Sequence, residues 1–366
     1  MAEKLRIAVA MSGGVDSSAV AALLVRRGHR VMGLTMQIWQ ESQTDSRHAG
    51  CCSLGAVEDA RRVAHTLGIP YYVLNFRDPF RENVIRRFIE EYTQGRTPNP
   101  CIACNRYVKF DLLLEKAREL GCDYLATGHY ARLRLQPNGR FALMRALCSE
   151  KDQSYALYAA PQEQLARLRF PLGTMRDKTA TRDLARSAGL AVAGKQESQD
   201  ICFVSEAGGY REFLRARVPE AFREGPILDR EGNRLGTHGG LAQYTVGQRK
   251  GIGIATGGRP LFVLALDPAS NALIVGDRRD TFSHEVTVED VVWGAIEGIT
   301  EPLRVSAKIR YNMAAREAVL LPPDGAGRLT ARFVEPVSAV TPGQAAVFYR
   351  GETVIAGGTI VSRDTQ

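Results

Sequence analysis

Apolar residues in the first ~130 positions form short runs, separated by stretches where they recur every three or four residues. The runs Leu5–Ala10, Arg30–Met36, Tyr71–Leu74 and Tyr124–Ala126 predict strands. The intervening segments predict helices over Ser17–Arg27, Val57–Leu67, Pro79–Tyr92 and Phe110–Leu120, with Gly28, Gly68 and Gly121 at their C-caps. Such alternation predicts a doubly wound α/β domain with a parallel sheet, whose ligand belongs at the carboxyl ends of the strands. Arg132–Leu135 and Phe141–Ala146, flanking Pro137-Asn138-Gly139, predict a hairpin. Helical segments follow to about Ala188, with an excursion from the domain conceivable near 170–190.

Beyond Gly208 the pattern changes. One helix, Tyr210–Val218, precedes short strands punctuated by glycine, and from His284 onward no helical period survives. Val286–Val292, Arg304–Tyr311, Ala318–Leu321, Leu329–Val334, Ala345–Tyr349 and Thr353–Ile360 alternate or run apolar, which predicts a C-terminal all-β barrel. The expected domains are an α/β domain over 1–207, a small mixed or β-rich domain over 208–283 and a barrel over 284–366. Within Arg304–Tyr311 the two-residue period puts Arg304, Ser306, Lys308 and Arg310 on one face and Val305, Ala307, Ile309 and Tyr311 on the other. The basic face could track phosphates or simply be solvated. Gln40–Gly50 is polar throughout and is the best candidate for a mobile loop.

A composition of 45% hydrophobic and 24% charged residues excludes fibrous and disordered classes. No apolar stretch approaches the roughly 20 residues of a membrane span, and the first apolar run is strand-like, so a cytoplasmic, membrane-free protein is expected; the sequence is silent on oligomeric state, and a monomer is taken as the default. There, seven cysteines, including the neighbours Cys51 and Cys52, read as thiols, metal ligands or catalytic groups. The net charge of +8 is concentrated early: Lys and Arg outnumber Asp and Glu by 29 to 22 over 1–207, but are outnumbered 8 to 10 over 284–366. This fits a polyanionic partner such as nucleic acid.

Between the first strand and the first helix stands Ser12-Gly13-Gly14-Val15-Asp16-Ser17-Ser18. Such a turn offers backbone N–H groups and a helix dipole to an anion, and its glycines admit close approach. It is not a G-x-x-x-x-G-K-[ST] loop, since no lysine follows to reach a terminal phosphate, nor is it G-x-G-x-x-G. It resembles the S-G-G-x-D-S loop of the ATP pyrophosphatase, or PP-loop, superfamily, whose members cleave ATP between the α and β phosphates and adenylate a carbonyl oxygen. The resemblance implies that Ser12, Gly13, Gly14, Ser17 and Ser18 hold the pyrophosphate and that Asp16 helps place Mg²⁺.

The cysteines narrow this further. Thr97-Pro-Asn-Pro-Cys-Ile-Ala-Cys-Asn-Arg106 puts Cys101 and Cys104 in a proline-stiffened loop before a helix, and Ser198-Gln-Asp-Ile-Cys-Phe-Val204 puts Cys202 after a polar turn. Gly128, in Ala126-Thr-Gly-His-Tyr130, ends the fourth strand. With Lys151-Asp-Gln-Ser-Tyr155, Thr245-Val-Gly-Gln-Arg-Lys-Gly-Ile-Gly253 and Thr341-Pro-Gly-Gln-Ala-Ala-Val-Phe-Tyr349 in order, the whole chain is similar to the tRNA-specific 2-thiouridylases. That resemblance implies ATP-dependent 2-thiolation of the tRNA wobble uridine: adenylation of the base O2, then displacement of AMP by a persulfide sulfur carried on Cys202. Cys104 would be the second thiol, leaving a Cys104–Cys202 disulfide for reduction. Ala10, Met11, Ser12, Gly13, Gly14, Val15, Asp16, Ser17, Ser18, Met36 and Gly128 would line the ATP site. Asn99, Pro100 and Cys101 would face the base, and Lys151, Asp152, Gln153, Arg310 and Tyr311 would contact tRNA. A cysteine desulfurase or sulfur-relay protein is the implied donor.

Cys101 departs from the pattern, standing where many members have the acid/base aspartate of N-P-D-x-x-C. A thiol titrates near 8.5 and an aspartate near 3.9, so proton transfer at this position has a different poise. The departure also creates Cys101-Ile-Ala-Cys104, and with Cys202 three routes stay open: a persulfide, a [4Fe-4S] cluster on the three cysteines, or a merely redox-active C-x-x-C. His129 reads as structural or nucleotide-lining, Trp39 and Tyr130 as stacking or buried aromatics, and Cys122 and Cys148 as small hydrophobes. Two other classes compete: a small-molecule amide synthetase, which needs no paired cysteines or barrel, and a non-catalytic tRNA-binding protein, which needs no intact PP-loop.

Overall fold

The computed structural model describes residues 4–38, 54–196, 201–204, 207–254 and 260–363. Trp39, the polar segment 40–50, Cys51, Cys52 and residues 198–200 lie outside the described residues. The chain divides into two compact units, one of Met1–Val84, Cys101–Glu206 and Glu352–Val354, the other of Ile85–Pro100, Ala207–Gly351 and Ile355–Gln366.

In the first unit the apolar runs become strands β1 (Arg6–Ala10), β2 (Arg30–Gln37), β3 (Tyr71–Asn75) and β4 (Tyr124–Ala126). The expected hairpin follows as β5 (Ala131–Leu135) and β6 (Phe141–Arg145), and then comes β7 (Leu168–Arg169). A parallel sheet forms in the order β3-β2-β1-β4-β7. The strand of two residues, β7, leaves no period to read and was not expected. The sequence of strands reverses direction between β1 and β4, which fixes where a ligand crevice opens.

Helix α1 (Val15–Arg26) is alanine-rich, and Ala19 through Leu24 are all at most 5% exposed. Short side chains let it be enclosed on several sides, which an amphipathic helix could not be. Leu184 and Ala185 of the helix Lys178–Ser187 belong to the same core as Ile7, Val9 and α1. The 170–190 stretch therefore contributes to this unit's core. Helix α2 (Leu54–Leu67) covers Ala60 and Val63 against it.

The helical run expected from Phe110 begins ten residues earlier. Its segments are Pro100–Ala103, a π-wound Cys104–Leu112, and Leu113–Glu119. Cys101 and Cys104 thus lie on a helix, not in the expected loop. Pro100 opens it because the first helical position tolerates a missing N–H and favours the fixed φ of proline.

In the second unit, Phe88 and Tyr92 pack edge-on to each other. Phe88 also meets Phe213, and Tyr92 stacks on Tyr210 at 5.3 Å, both partners being in the helix Tyr210–Arg215. Strands β8 (Gly225–Leu228), β9 (Arg234–His238), β10 (Phe262–Asp267) and β11 (Ala272–Gly276) make a mixed sheet in the order β10-β11-β8-β9. The barrel consists of β12 (Phe282–Trp293), β13 (Leu303–Lys308), β14 (Arg316–Leu320), β15 (Leu329–Ser338), β16 (Ala345–Arg350) and β17 (Thr353–Arg363). They run β12-β15-β14-β13-β16-β17, and β17 pairs back to β12, which closes the barrel and removes its edges.

Inside the barrel, Val305, Ala307 and Ile309 are buried as the alternation requires. Tyr311 is not: it is 39% exposed, against its expected place on the core stripe. The strand ends at Lys308, so the two-residue period no longer directs position 311. Among the described residues no helix is long and apolar enough to cross a membrane.

Candidate active site

Register places Val9 opposite both Gly33 and Ala126, so the turns leaving β1 and β4 emerge side by side at the carboxyl edge. The first is anchored at once. Met11 N–H donates to Leu34 O at 2.8 Å, and Thr35 Oγ1 donates to Met11 O at 2.7 Å. Gly13 then takes φ +67°, and a Cβ there would lie 2.1 Å from the carbonyl oxygen of Ala56 in the first turn of α2. Only glycine fits that approach.

Gly14 caps α1 with no side-chain hydrogen bond. The first-turn N–H groups of that helix, which have no intrahelical acceptor, are left for an anion. The buried hydroxyls of Ser17 and Ser18 turn into the loop: Ser12 N–H donates to Ser17 Oγ at 3.2 Å, and Ser18 Oγ donates to Gly14 O at 2.8 Å. Gly128 closes the crevice, since a Cβ on it would come within 2.8 Å of Ser17 N. Met36 lies half-buried on β2, beside Thr35. The loop 11–18 and Gly128 are therefore brought together, with Met36 on the neighbouring strand.

Two lysines that sequence reasoning missed also reach this turn. Lys178 Nζ donates to Asp16 Oδ1 at 2.5 Å, and Tyr130 OH donates to the same oxygen at 2.9 Å. Lys195 Nζ donates to Gly13 O at 3.1 Å and to Asp59 Oδ2 at 2.7 Å, which ties the loop to α2. They come from 162 and 182 residues further along the chain, beyond any motif window. A local signal existed for the first: Asp177 caps the helix Lys178–Ser187, accepting from Ala180 N–H, so a lysine at its first position points along the helix start. Among the described residues Asp16 Oδ2 takes no hydrogen bond, so one carboxylate oxygen remains to meet a cation beside bound phosphates.

His129 Nδ1 lies 2.7 Å from Thr127 Oγ1, and its ring meets Phe110 and Phe170 edge-on or nearly so. Enclosure, reinforced by the Lys109 ammonium, holds the imidazole pKa well below its ordinary value of 6.5. The folded state thus resists protonation that the unfolded chain accepts, so stability is complete above about pH 6.5 and falls as pH drops below it. Thermal melts between pH 5 and 8, roughly the window set by a histidine, should slope downward on the acid side in wild type and slope less in His129→Phe.

Cys101 is exposed, Cys104 is buried and Cys202 is half-buried beside Phe203, whose ring meets Phe80 at 5.8 Å. Among the described residues no three His, Cys, Asp or Glu side chains converge as a metal site. Cys122 and Cys148 are buried, and burial pushes the Cys122 thiol pKa up, which makes it a poor nucleophile. A cleft lined by Arg6, His29, Arg30 and Cys122 opens at the amino ends of the strands, away from the PP-loop.

Of the residues expected at tRNA, Asp152 accepts from Ala146 N–H and Ser154 N–H at 3.1 Å each, and Gln153 Oε1 accepts from Tyr130 N–H at 2.9 Å. Gln153 braces the turn that carries Tyr130, while Asp152 ties Ala146 to Ser154. Lys151 is half-buried next to them. Arg310 Nη2 donates to Ser338 O at 3.1 Å, and Lys308 Nζ sits 5.7 Å from the Tyr311 ring centre. Asn99 is half-buried and Pro100 buried.

An open parallel sheet with uncapped first-turn amides at its switch point defines a nucleotide-binding α/β domain, here accompanied by a mixed sheet and a barrel. Family models agree in arrangement: a tRNA methyl transferase HUP domain matches 5–206, a tRNA methyl transferase PRC-barrel domain 211–277, and an aminomethyltransferase beta-barrel domain 283–360. The tRNA-specific 2-thiouridylase MnmA of Moorella thermoacetica is 52% identical over 359 residues, covering 97% of this chain and 99% of that one. Its namesakes in Heliobacterium modesticaldum and Symbiobacterium thermophilum are each 50% identical, covering 98% and 97% of this chain and 93% and 92% of theirs. The chain belongs to the tRNA-specific 2-thiouridylase family.

Proposed function

We propose that this protein is a tRNA-uridine 2-sulfurtransferase that activates the base with ATP. The observation that carries the reading is the PP-loop itself, with Gly13 pressed on α2, Gly128 pressed on α1 and uncapped amides facing the crevice, in a chain about half identical to named thiouridylases. The domain-model descriptions speak of methyl transfer, but a thiol-bearing helix at Cys101 and Cys104, with Cys202 elsewhere in the same unit, suits sulfur chemistry.

ATP would lie with its triphosphate over the α1 amides, contacted by Ser12–Ser18, with Ala10, Met11, Met36 and Gly128 around the nucleotide. Magnesium fits at Asp16, through the oxygen that neither Lys178 nor Tyr130 engages; bound there, it supplies charge neutralisation on the phosphates. Lys178 holds that carboxylate in place, and the low-dielectric loop stabilises charge that builds on departing pyrophosphate. The uridine O2 attacks the α phosphorus, pyrophosphate leaves, and the base carries AMP on O2.

Sulfur then enters. The outer sulfur of a Cys202 persulfide attacks C2, AMP departs with the O2 oxygen, and the Cys104 thiolate attacks Cys202 Sγ to break the S–S bond and free 2-thiouridine. A Cys104–Cys202 disulfide remains, and a thiol reductant returns two electrons to reset it. A desulfurase or relay carrier supplies the persulfide. Asn99, Pro100 and Cys101 face the base, and Lys151, Asp152, Gln153, Arg310 and Tyr311 lie along the tRNA.

ATP–pyrophosphate exchange tests this reading: exchange should require tRNA, whereas exchange without tRNA identifies a small-molecule synthetase and no AMP at all an inert binder. Lys178→Met should lower tRNA-dependent exchange about 10²-fold by loosening Asp16. Its stability cost should be about 2 kcal/mol or less, because both side chains are partly exposed.

A further inference from the structure

The segment leading into the cysteine-bearing helix is held where two other glycine-containing motifs meet. Thr97 N–H donates to Pro342 O at 2.9 Å, Gln344 Nε2 donates to Thr97 O at 2.7 Å, and Thr97 Oγ1 lies 3.4 Å from Thr245 Oγ1. Gly343 takes φ +87°, and a Cβ on it would sit 2.9 Å from Thr97 N, so the two backbones touch. One residue earlier, Arg96 grips the Glu91 carboxylate with two nitrogens.

The receiving loop is stiff in its own right. Gly343 N–H donates to Ile360 O and Ile360 N–H to Gln344 O, which fastens the loop to β17. Thr341 is buried, with its hydroxyl 3.0 Å from Ala339 O, and Ala339 in turn lies against Gly247. Immediately before Ala339, the Ser338 carbonyl accepts from Arg310. Arg310, the loop 338–344 and Thr97 therefore form one connected path within the second unit, ending two residues before Asn99.

We infer that Gln344 is a positioning residue for Asn99 and Pro100, setting the base-facing segment relative to Arg310, which lies just past the end of β13. The inference rests on the roles proposed above for Arg310, Asn99 and Pro100. Thr97 sits between a proline at position 98 and the tied Arg96, so fixing its carbonyl and N–H fixes the direction in which the chain enters Pro100. The Gln344 backbone bonds survive any substitution, whereas its amide is the side-chain donor to Thr97 O. A base presented to a turn displaced by even 1 Å meets its reactants out of line, a loss on the order of 10²-fold in extreme cases.

The test uses the full chain with Gln344→Ala and with Gln344→Glu, which keeps the size but cannot donate. Amide hydrogen exchange over 96–101 should quicken in both. Single-turnover formation of 2-thiouridine at saturating tRNA should fall about tenfold, while tRNA affinity and ATP affinity stay within about twofold. Unchanged exchange overturns the inference, and so does an unchanged rate at saturating tRNA or a defect confined to tRNA affinity. If Gln344→Ala fails to fold, Gln344→Glu carries the comparison. Should wild-type protein make no 2-thiouridine, the functional reading falls, and the exchange measurement still decides whether the latch holds residues 96–101.

Discussion

Alanine at position 13 is expected to cost folding stability on the order of 3–5 kcal/mol and to remove measurable ATP binding. Two penalties act together. The residue sits at φ +67°, where an L side chain is strained, and its Cβ would lie 2.1 Å from Ala56 O, a backbone atom that cannot swing aside. Relief requires the first turn of α2 to move, and with it Asp59, which Lys195 ties back to the Gly13 carbonyl. Gly14→Ala is the control. Its φ is −95°, and its Cβ would meet only Ser12 Oγ at 3.5 Å, so it should fold with a loss of about 1 kcal/mol or less. Denaturant melts of both variants, with ATP titration of whichever folds, separate the two effects. Equal stability of both variants would show that the approach of α2 to the loop is looser than described.

Serine at position 104 or 202 is expected to lower 2-thiouridine formation by a factor on the order of 10³ or more while AMP formation persists. The two halves of the reaction draw on different groups. In the proposed mechanism adenylation depends on the loop amides, on Asp16 and on Lys178, which donates to Asp16. Sulfur transfer needs a thiolate to carry the persulfide and a second to release it, and a hydroxyl does neither. Cys101→Ser sorts the remaining question. If Cys101 takes the place of the family's aspartate as a proton carrier, its loss should lower the adenylation rate; if it is incidental, both rates survive. Measuring AMP and 2-thiouridine side by side in the three variants gives the answer, and loss of AMP in Cys202→Ser would contradict the division of labour.

Much of this arrangement was legible in the chain because it is local. The runs that became β1, β2 and β4 are short and apolar, and the residues between them carry a helical period, so a parallel sheet with its crevice at the carboxyl ends of the strands follows from topology rules, while the strand order itself does not. The PP-loop was legible for the same reason, since seven consecutive residues hold its geometry. What escaped depends on distance or on a single ambiguous residue. Lys178 and Lys195 reach the loop only through the packing of Leu184 and Ala185 on α1, which no window of sequence contains. Pro100 could stiffen a loop or open a helix, and the preceding Pro98 favoured the first reading; the structure takes the second, so both cysteines ride on a helix. Tyr311 followed the alternation of Arg304–Lys308 on paper, but the strand had already ended.

The most direct test of the central claim is a mass-spectrometric assay of tRNA nucleosides. Protein purified without oxygen, a cysteine desulfurase with cysteine, ATP, Mg²⁺ and unmodified tRNA are combined, and 2-thiouridine and AMP are counted together. Sulfur transfer after adenylation predicts 2-thiouridine with one AMP for each, both reduced about 10²-fold when Lys178 is changed to Met. AMP released with no sulfur in the RNA, or 2-thiouridine formed without AMP, would contradict it.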